Sequence, residues 1–264
     1  MSIESNSETL RVKQSGGVLT LTLNRPAVFN SFNREMATAL QGALDAAEAD
    51  DSVRCIVLTG EGRAFCAGQD LGEITAKDGP DMRTIVSESY NATVRRLRKI
   101  EKPIVAAVNG VAAGAGANIA LNCDLTVASE KASFIQAFSK IGLIPDSGGT
   151  YLMPRLVGMQ RAAGLAMLGE KLAARDAETM GMIWKAVPAD VFGEYVEELS
   201  AKLAAMPTRG LGLTKRAFNA GLHTDLDAAL DTEEALQFEA SQTEDYTEGV
   251  SAFLEKRAPE FKGR

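Results

Sequence analysis

Asp146 follows an apolar run and precedes a pair of glycines in AFSKIGLIPDSGGT, residues 137–150. A carboxyl group beside Ile141, Leu143 and Ile144 is a candidate acid/base, because an apolar setting disfavours its charged form and moves its proton affinity toward neutrality. The same position, just ahead of a helix opening at Ser147-Gly148-Gly149, also suits an N-cap. Spacing leaves both roles open. Two glycine-rich turns offer a second kind of chemistry. Residues 62–70 form an irregular loop after a strand, and residues 110–116 form another that ends at a helix start. The small Gly, Ala and Cys side chains there let a ligand approach the main chain closely. A helix N-terminus favours negative charge, and two amides converging on one oxygen would make an oxyanion hole. Ordinary tight turns would read the same way.

Other chemistries have less to work with. The three cysteines, Cys55, Cys66 and Cys123, are far apart and lack CxxC spacing. That argues against a zinc knuckle or a disulfide framework and suits a reducing compartment. A Ser-His-Asp device or a histidine metal site would have to use His223, the single histidine, which reads as a surface or helix-end residue. GEGRAF (60–65) and GAGANI (114–119) carry two glycines of a dinucleotide fingerprint. Both lack the third glycine, and neither has a well-placed acidic residue about 20 positions on, so no nicotinamide or flavin site is expected.

Composition sets the frame for these motifs. The 264 residues are 45% hydrophobic and 24% charged, with a formal net charge of −7. This is globular composition, and it gives no bulk charge reason to bind nucleic acid or an anionic membrane. Residues 103–121 carry no charge, but Asn109, Asn118 and the glycines within them favour a buried strand-turn-helix over a membrane span. MSIESNSETL lacks a basic start followed by an apolar run, so no secretory signal is expected and a cytoplasmic location is.

Periodicity supplies the elements that must position the motifs. Leu10 and Val12, then Val18 to Leu23, alternate around Gly16-Gly17 as a hairpin. Asn33 is placed to cap a helix beginning REMATALQGALDAAEADD. A β-branched strand spans Val53 to Thr59, and a helix is predicted from about Met82 to Ile100. The strand PIVAAV, the turn NGVAAGAGANIAL and the strand DLTVAS follow. Strands alternating with helices predict an α/β fold. From Ser147 onward the pattern reads as almost wholly helical. The expected division is a core over residues 1–200 and a helical oligomerisation segment over 201–264.

LTLNRP (21–26), RAFCAGQDL (63–71), KPIVAAVNGVAAGAGANIALNCD (102–124) and FSKIGLIPDSGGT (138–150) occur in an order and spacing that together resemble the crotonase, or enoyl-CoA hydratase/isomerase, superfamily. The resemblance runs essentially the whole chain, through the closing AFLEKRAPEFKGR. It implies a spiral of ββα units with a C-terminal helical segment, in trimers commonly paired into hexamers. It implies an acyl-CoA substrate and no cofactor beyond the coenzyme A that the substrate carries. By resemblance, the backbone N–H groups of Gln69 and Ala115 form the oxyanion hole for a thioester enolate. CoA contacts are expected around Arg25, Ala27, Val28, Ala67, Gln69, Asp70 and Leu71, and from Phe261 and Lys262 of a neighbouring subunit. Phe138, Ile141, Leu143 and Trp184 are candidates for the acyl pocket.

Departures from the family pattern narrow the reaction. Hydratases carry two glutamates that act on water; here those positions hold Asn118 and Phe138, neither of which takes a proton from water. Asp146 stands where hydratases usually have glycine and where family isomerases place an acid/base. RPAVFNSFN, AVNGVAAGAGA, GMIWKAV, GLGLTKRAF and EGVSAFLEKRAPEFKG most resemble the branch that rearranges 2-(1,2-epoxy-1,2-dihydrophenyl)acetyl-CoA to oxepin-CoA in phenylacetate catabolism. A Δ3–Δ2 enoyl-CoA isomerase or a hydratase of the same family is the alternative. A non-catalytic acyl-CoA- or RNA-binding homologue is the alternative of another class, and the negative charge and retained Asp146 weigh against it.

Overall fold

A computed structural model describes residues 7–264; residues 1–6, part of the segment from which the absence of a leader was read, lie outside the described residues. The first sheet holds six strands: β1 (Leu10–Ser15), β2 (Val18–Leu23), β3 (Cys55–Gly60), β5 (Ile104–Val108), β7 (Leu125–Ser129) and β10 (Lys185–Val187), in the order β1-β2-β3-β5-β7-β10. The hairpin pairs Leu10 with Leu23 and Ser15 with Val18, and every later strand joins in parallel. β5 is buried along its whole length, as a parallel strand covered on both faces should be. The second sheet is built from shorter strands: β4 (Ala64–Cys66), β6 (Val111–Ala113), β8 (Ser133–Ile135) and β9 (Lys171–Ala173), in that order.

The chain repeats one step three times. A long strand of the first sheet turns into a short strand of the second, and a helix follows. β3 leads to β4 and then to a helix starting at Leu71, β5 to β6 and then to a helix starting at Ala115, and β7 to β8 and then to the 3-10 helix Ala137–Ile141. Because β4, β6 and β8 pair side by side in parallel, the loops leaving their C-terminal ends are neighbours in space. Those loops carry the motifs of residues 63–71, 110–116 and 137–150.

Helices pack around this spiral. α1 (Arg34–Ala49) starts where expected, with the Asn33 side chain accepting from the Met36 amide at 3.0 Å. It buries Met36, Leu40 and Leu44 in the main core. After α2 (Leu71–Thr75), the helix expected over residues 82–100 is three pieces: α3 (Met82–Thr84), a π-helical stretch over Ile85–Asn91, and α4 (Ala92–Lys99). α5 (Ala115–Leu121) is buried throughout. The remainder comprises α6 (Gly149–Val157), α7 (Met159–Leu168), α8 (Ala174–Thr179), α9 (Phe192–Ala205), α10 (Thr208–Gly221), α11 (Leu226–Ser241) and α12 (Glu244–Glu255).

Two expectations need correction. The region after Ser147 is not wholly helical, because the three-residue strands β9 and β10 each complete a sheet edge. They are too short to show a periodicity of their own. A boundary at residue 200 also falls inside α9, whose Val196 and Ala204 pack on Val57, Val105 and Val127 of the first sheet in a second core. The separate-looking part begins with α10. It is still tied to the core by Lys215, whose Nζ lies 2.9 Å from Asp124 Oδ2, the same oxygen that accepts from the Ile104 amide. Among the described residues no helix is long and apolar enough to cross a membrane.

Candidate active site

Gln69 lies three residues past β4, and Ala115 lies two past β6 at the first turn of α5. Gly68 brings the two strands' loops together. A methyl group on its Cα would fall 3.0 Å from the Ala113 carbonyl oxygen and 3.7 Å from the Ala115 amide nitrogen, and its φ of +93° is one that residues with a Cβ rarely adopt. The main chain of Gln69 is held by Phe32, whose amide donates to Gly68 and whose carbonyl accepts from Asp70, at 2.7 and 2.8 Å. Among the described residues, this leaves the Gln69 amide without a hydrogen-bond partner beside the start of α5.

Asp146 comes from the third loop. The N-cap alternative is ruled out: the cap of α6 is Gly148, with φ +75°, and the Asp146 side chain instead accepts from the Ser147 hydroxyl at 2.9 Å. Burial lifts its carboxyl to about 6, against the smaller opposing effect of that hydroxyl. The group is therefore close to half-ionised near pH 6, in the range that suits a proton carrier at neutral pH.

Two asparagines on α5 hold the loop in place. Asn118, fully buried, donates through Nδ2 to the Asp146 carbonyl at 2.9 Å and accepts through Oδ1 from Gln136 at 2.9 Å. One turn later Asn122 donates to the Ser147 carbonyl at 2.8 Å. Gly149 has to be glycine here, since a methyl group would fall 2.2 Å from Asn118 Nδ2. Both the Nδ2 and the Oδ1 of Asn118 thus take part in hydrogen bonds that hold the loop.

The remaining predicted residues divide clearly. Phe138 is buried, with its ring 3.7 Å from where a Cβ on Gly114 would sit, so it lies over the Ala115 turn. Ile141, Leu143 and Ile144 are 60%, 39% and 78% exposed, an apolar rim leading to Asp146. Trp184 heads β10 on the edge of the first sheet, with its amide on the Thr126 carbonyl, and shares neither an element nor a hydrogen bond with the site. Arg25 reaches Asp70 at 2.7 Å and donates to the Ser31 carbonyl. Burial is the largest single influence on Asp70 and opposes its ionisation, but the Arg25 guanidinium together with the Gly72 and Glu73 amides holds the carboxyl below its usual range. Val28 and Leu71 are exposed beside this pair, and the Ala67 amide donates to the Phe29 carbonyl on the same loop as Ala27. Phe261 and Lys262 lie against their own chain: Arg54 donates to the Phe261 carbonyl at 2.8 Å, and the Lys262 amide donates to Asp245.

Sequence reasoning missed several residues that build the site. Asn30, with φ +57° and no exposure, accepts from the Arg25 amide and donates to the Glu61 and Ala64 carbonyls, pinning the NRP loop to the second sheet. Tyr90, Gln136 and Asn122 were also missed, for their partners are remote in sequence and no local pattern marks them. His223 stacks on Tyr151 just past α10, as a helix-end residue. The three thiols are buried, and burial pushes each up to about 12, so none is a ready nucleophile.

Residues 13–264 match the family described as Enoyl-CoA hydratase/isomerase, and the chain belongs to that family. It is 51% identical over 251 residues to the 1,2-epoxyphenylacetyl-CoA isomerase of Escherichia coli K12, covering 94% of this chain and 96% of that protein. It is 38% identical to the 2,3-dehydroadipyl-CoA hydratase of the same organism, over 97% of this chain and 99% of that protein. The enoyl-CoA hydratase of Bacillus anthracis superposes with a TM-score of 0.90 at 31% identity, covering 97% of this chain and all of that one. The relatives thus include both isomerases and hydratases, and the α/β spiral with its helical C-terminal segment is the fold they share.

Proposed function

We propose that this protein is an isomerase of CoA thioesters that converts 2-(1,2-epoxy-1,2-dihydrophenyl)acetyl-CoA to oxepin-CoA, with Asp146 as the proton carrier. The observation that carries the reading is the half-buried Asp146 carboxyl, lifted to about 6, in a site with Asn118 and Phe138 at the two positions where hydratases hold glutamates. The likeness to the Escherichia coli isomerase supports the choice of substrate.

The thioester oxygen sits on the amides of Gln69 and Ala115. The Asp146 carboxylate removes the proton alpha to the thioester, and negative charge moves onto that oxygen, where the two N–H groups and the start of α5 stabilise it. In the epoxide substrate the resulting dienolate opens the strained ring system to the seven-membered oxepin. Asp146 returns the proton further along the conjugated system, so atoms balance without water or a redox partner. With a β,γ-unsaturated acyl-CoA the same shuttle gives the α,β isomer. The ring expansion breaks the C–C bond shared by the epoxide and the six-membered ring while both C–O bonds stay, and its electrons join the conjugated system; with the two proton transfers the product is an isomer of the substrate, and we assign the reaction no metal, flavin or nicotinamide. Phe138 and the rim at 141–144 face the acyl group, and Arg25 with Asp70 borders the CoA entrance.

We further assign a trimer or a pair of trimers in the cytoplasm. Phe218, Phe238 and Phe253 on α10, α11 and α12 are 70%, 68% and 83% exposed, and apolar surface on this scale favours burial against a second copy. Turnover of the epoxide made enzymatically from phenylacetyl-CoA tests the activity: oxepin-CoA as product supports it, and unchanged epoxide overturns it.

A further inference from the structure

The π-helical stretch Ile85–Asn91 buries Tyr90, a residue no motif singled out, to 1% exposure. π-turns are uncommon and recur at functional sites. The Tyr90 ring packs on Phe32 at 6.0 Å between centroids, and its hydroxyl donates to Gln69 Oε1 at 2.5 Å. The other end of the same amide donates to Glu73 Oε2 at 2.8 Å, while Glu73 Oε1 accepts from the Arg34 amide at the start of α1. Phe32 therefore fixes the main chain around Gln69 on both sides, and Tyr90 and Glu73 fix its side chain at both ends. Of the polar groups on this residue, the backbone N–H is the donor left for a ligand.

We propose that Tyr90 is a positioning residue: its hydroxyl, through the Gln69 side chain, holds the Gln69 amide aimed at the thioester oxygen. This rests on the reading of Gln69 and Ala115 as the oxyanion hole. An oxyanion donor has to be fixed before charge develops, because reorienting it during the reaction would forfeit much of its effect. Without the Tyr90 hydrogen bond, Gln69 Oε1 would lose its partner beside the buried Phe32 and Tyr90 rings, and the side chain could turn and carry the peptide with it. Burial, and next the nearby Asp146 carboxylate, push the Tyr90 hydroxyl well above its usual range. It remains a protonated donor across the working pH.

Tyr90→Phe keeps the ring against Phe32 and removes only the hydroxyl. The expected result is a fall in kcat of about tenfold with KM within about twofold, the pattern for an interaction used in the transition state. Phenylacetyl-CoA labelled with 13C at the thioester carbonyl gives a second readout that needs no turnover. Its carbonyl stretch, lowered on binding the parent enzyme, should move back toward the free value in the variant. Gln69→Ala, which keeps the amide but removes the clamp, should reproduce both effects, and the double variant should be no worse than the more impaired single one. If Tyr90→Phe does not fold, Gln69→Ala alone decides. Unchanged kcat together with an unchanged carbonyl band overturns the proposal, as does a raised KM at constant kcat. An enzyme that leaves the epoxide untouched yet shifts the carbonyl band through Tyr90 would overturn the isomerase reading and leave the clamp standing.

Discussion

Asn118 donates its side-chain amide to the backbone carbonyl of Asp146, 2.9 Å away and 28 residues on in the chain. With the Asn122 bond to the Ser147 carbonyl, this contact ties the proposed acid/base to the same helix whose first amide would hold the thioester oxygen. The placement of Asp146 relative to Ala115 is thereby tied to α5, a buried element.

Replacing Asp146 by Asn removes the carboxyl and preserves size. With the cap of α6 supplied by Gly148, no helix capping is lost. Turnover should fall roughly 10²–10⁴-fold, the usual contribution of general acid–base catalysis, and CoA binding should hardly change. Steady-state kinetics on the epoxide with a direct binding assay for phenylacetyl-CoA checks both. Near-normal turnover by the folded variant would mean another residue moves the proton.

The pH dependence follows from the carboxyl lifted from 3.8 to about 6. As a base it must be ionised, so kcat/KM should rise with pH up to about 6 and level above it. Stability runs the other way. Between those two values the folded state binds the extra proton, so Asp146 lowers stability as pH rises through the window. Asp146→Asn should therefore be more stable than the parent by up to about 3 kcal/mol at pH 7, an advantage lost below about pH 4. Paired urea titrations at the two pH values measure it, and equal midpoint shifts at both would contradict the burial argument.

Asn118→Ala leaves the buried Gln136 amide without its partner and removes one of two donors from the Asp146 carbonyl, which still accepts from the Gly149 amide at 2.8 Å. The cost should be about 1–3 kcal/mol of stability. The loss of turnover should be far milder than for Asp146→Asn, because the proton carrier remains. Thermal melts and epoxide turnover on the same preparation separate the two effects, and a loss as deep as that of Asp146→Asn would give Asn118 a direct part in the chemistry.

Hydration of crotonyl-CoA should be very slow, since Asn118 and Phe138 leave no base for water at those positions. Incorporation of labelled water into product is the assay. A kcat of about 10 s⁻¹ or more, typical of dedicated enzymes, would sink the isomerase assignment.

Light scattering at micromolar concentration should show a trimer or hexamer, driven by the apolar faces of α10, α11 and α12. Charged substitutions at Phe238 and Phe253 should shift the population toward smaller species. A parent protein that runs as a monomer would contradict this.

The sequence by itself determined the hairpin, the Asn33-capped helix, the longer strands β3, β5 and β7 of the first sheet and the segments that carry the site. These are local matters: period-two alternation, a capping side chain three residues from its amide, and runs too apolar to lie anywhere but inside. The family motifs also single out Gln69, Ala115 and Asp146. What only the tertiary structure decided is how they act together. Whether Asp146 caps a helix depended on Gly148, whose left-handed backbone takes the cap two residues later than the sequence pattern suggests. The strands β4, β6, β8, β9 and β10 are three residues each, too short for any period to declare itself, yet their pairing makes three distant loops into neighbours. The π-turn that aims Tyr90 at Gln69, and the reach of Asn118 to a carbonyl 28 residues away, leave no trace in local pattern. Hydrogen bonds between remote segments depend on where the folded core brings the chain, and that placement is the sum of all its packing rather than a property of any one stretch.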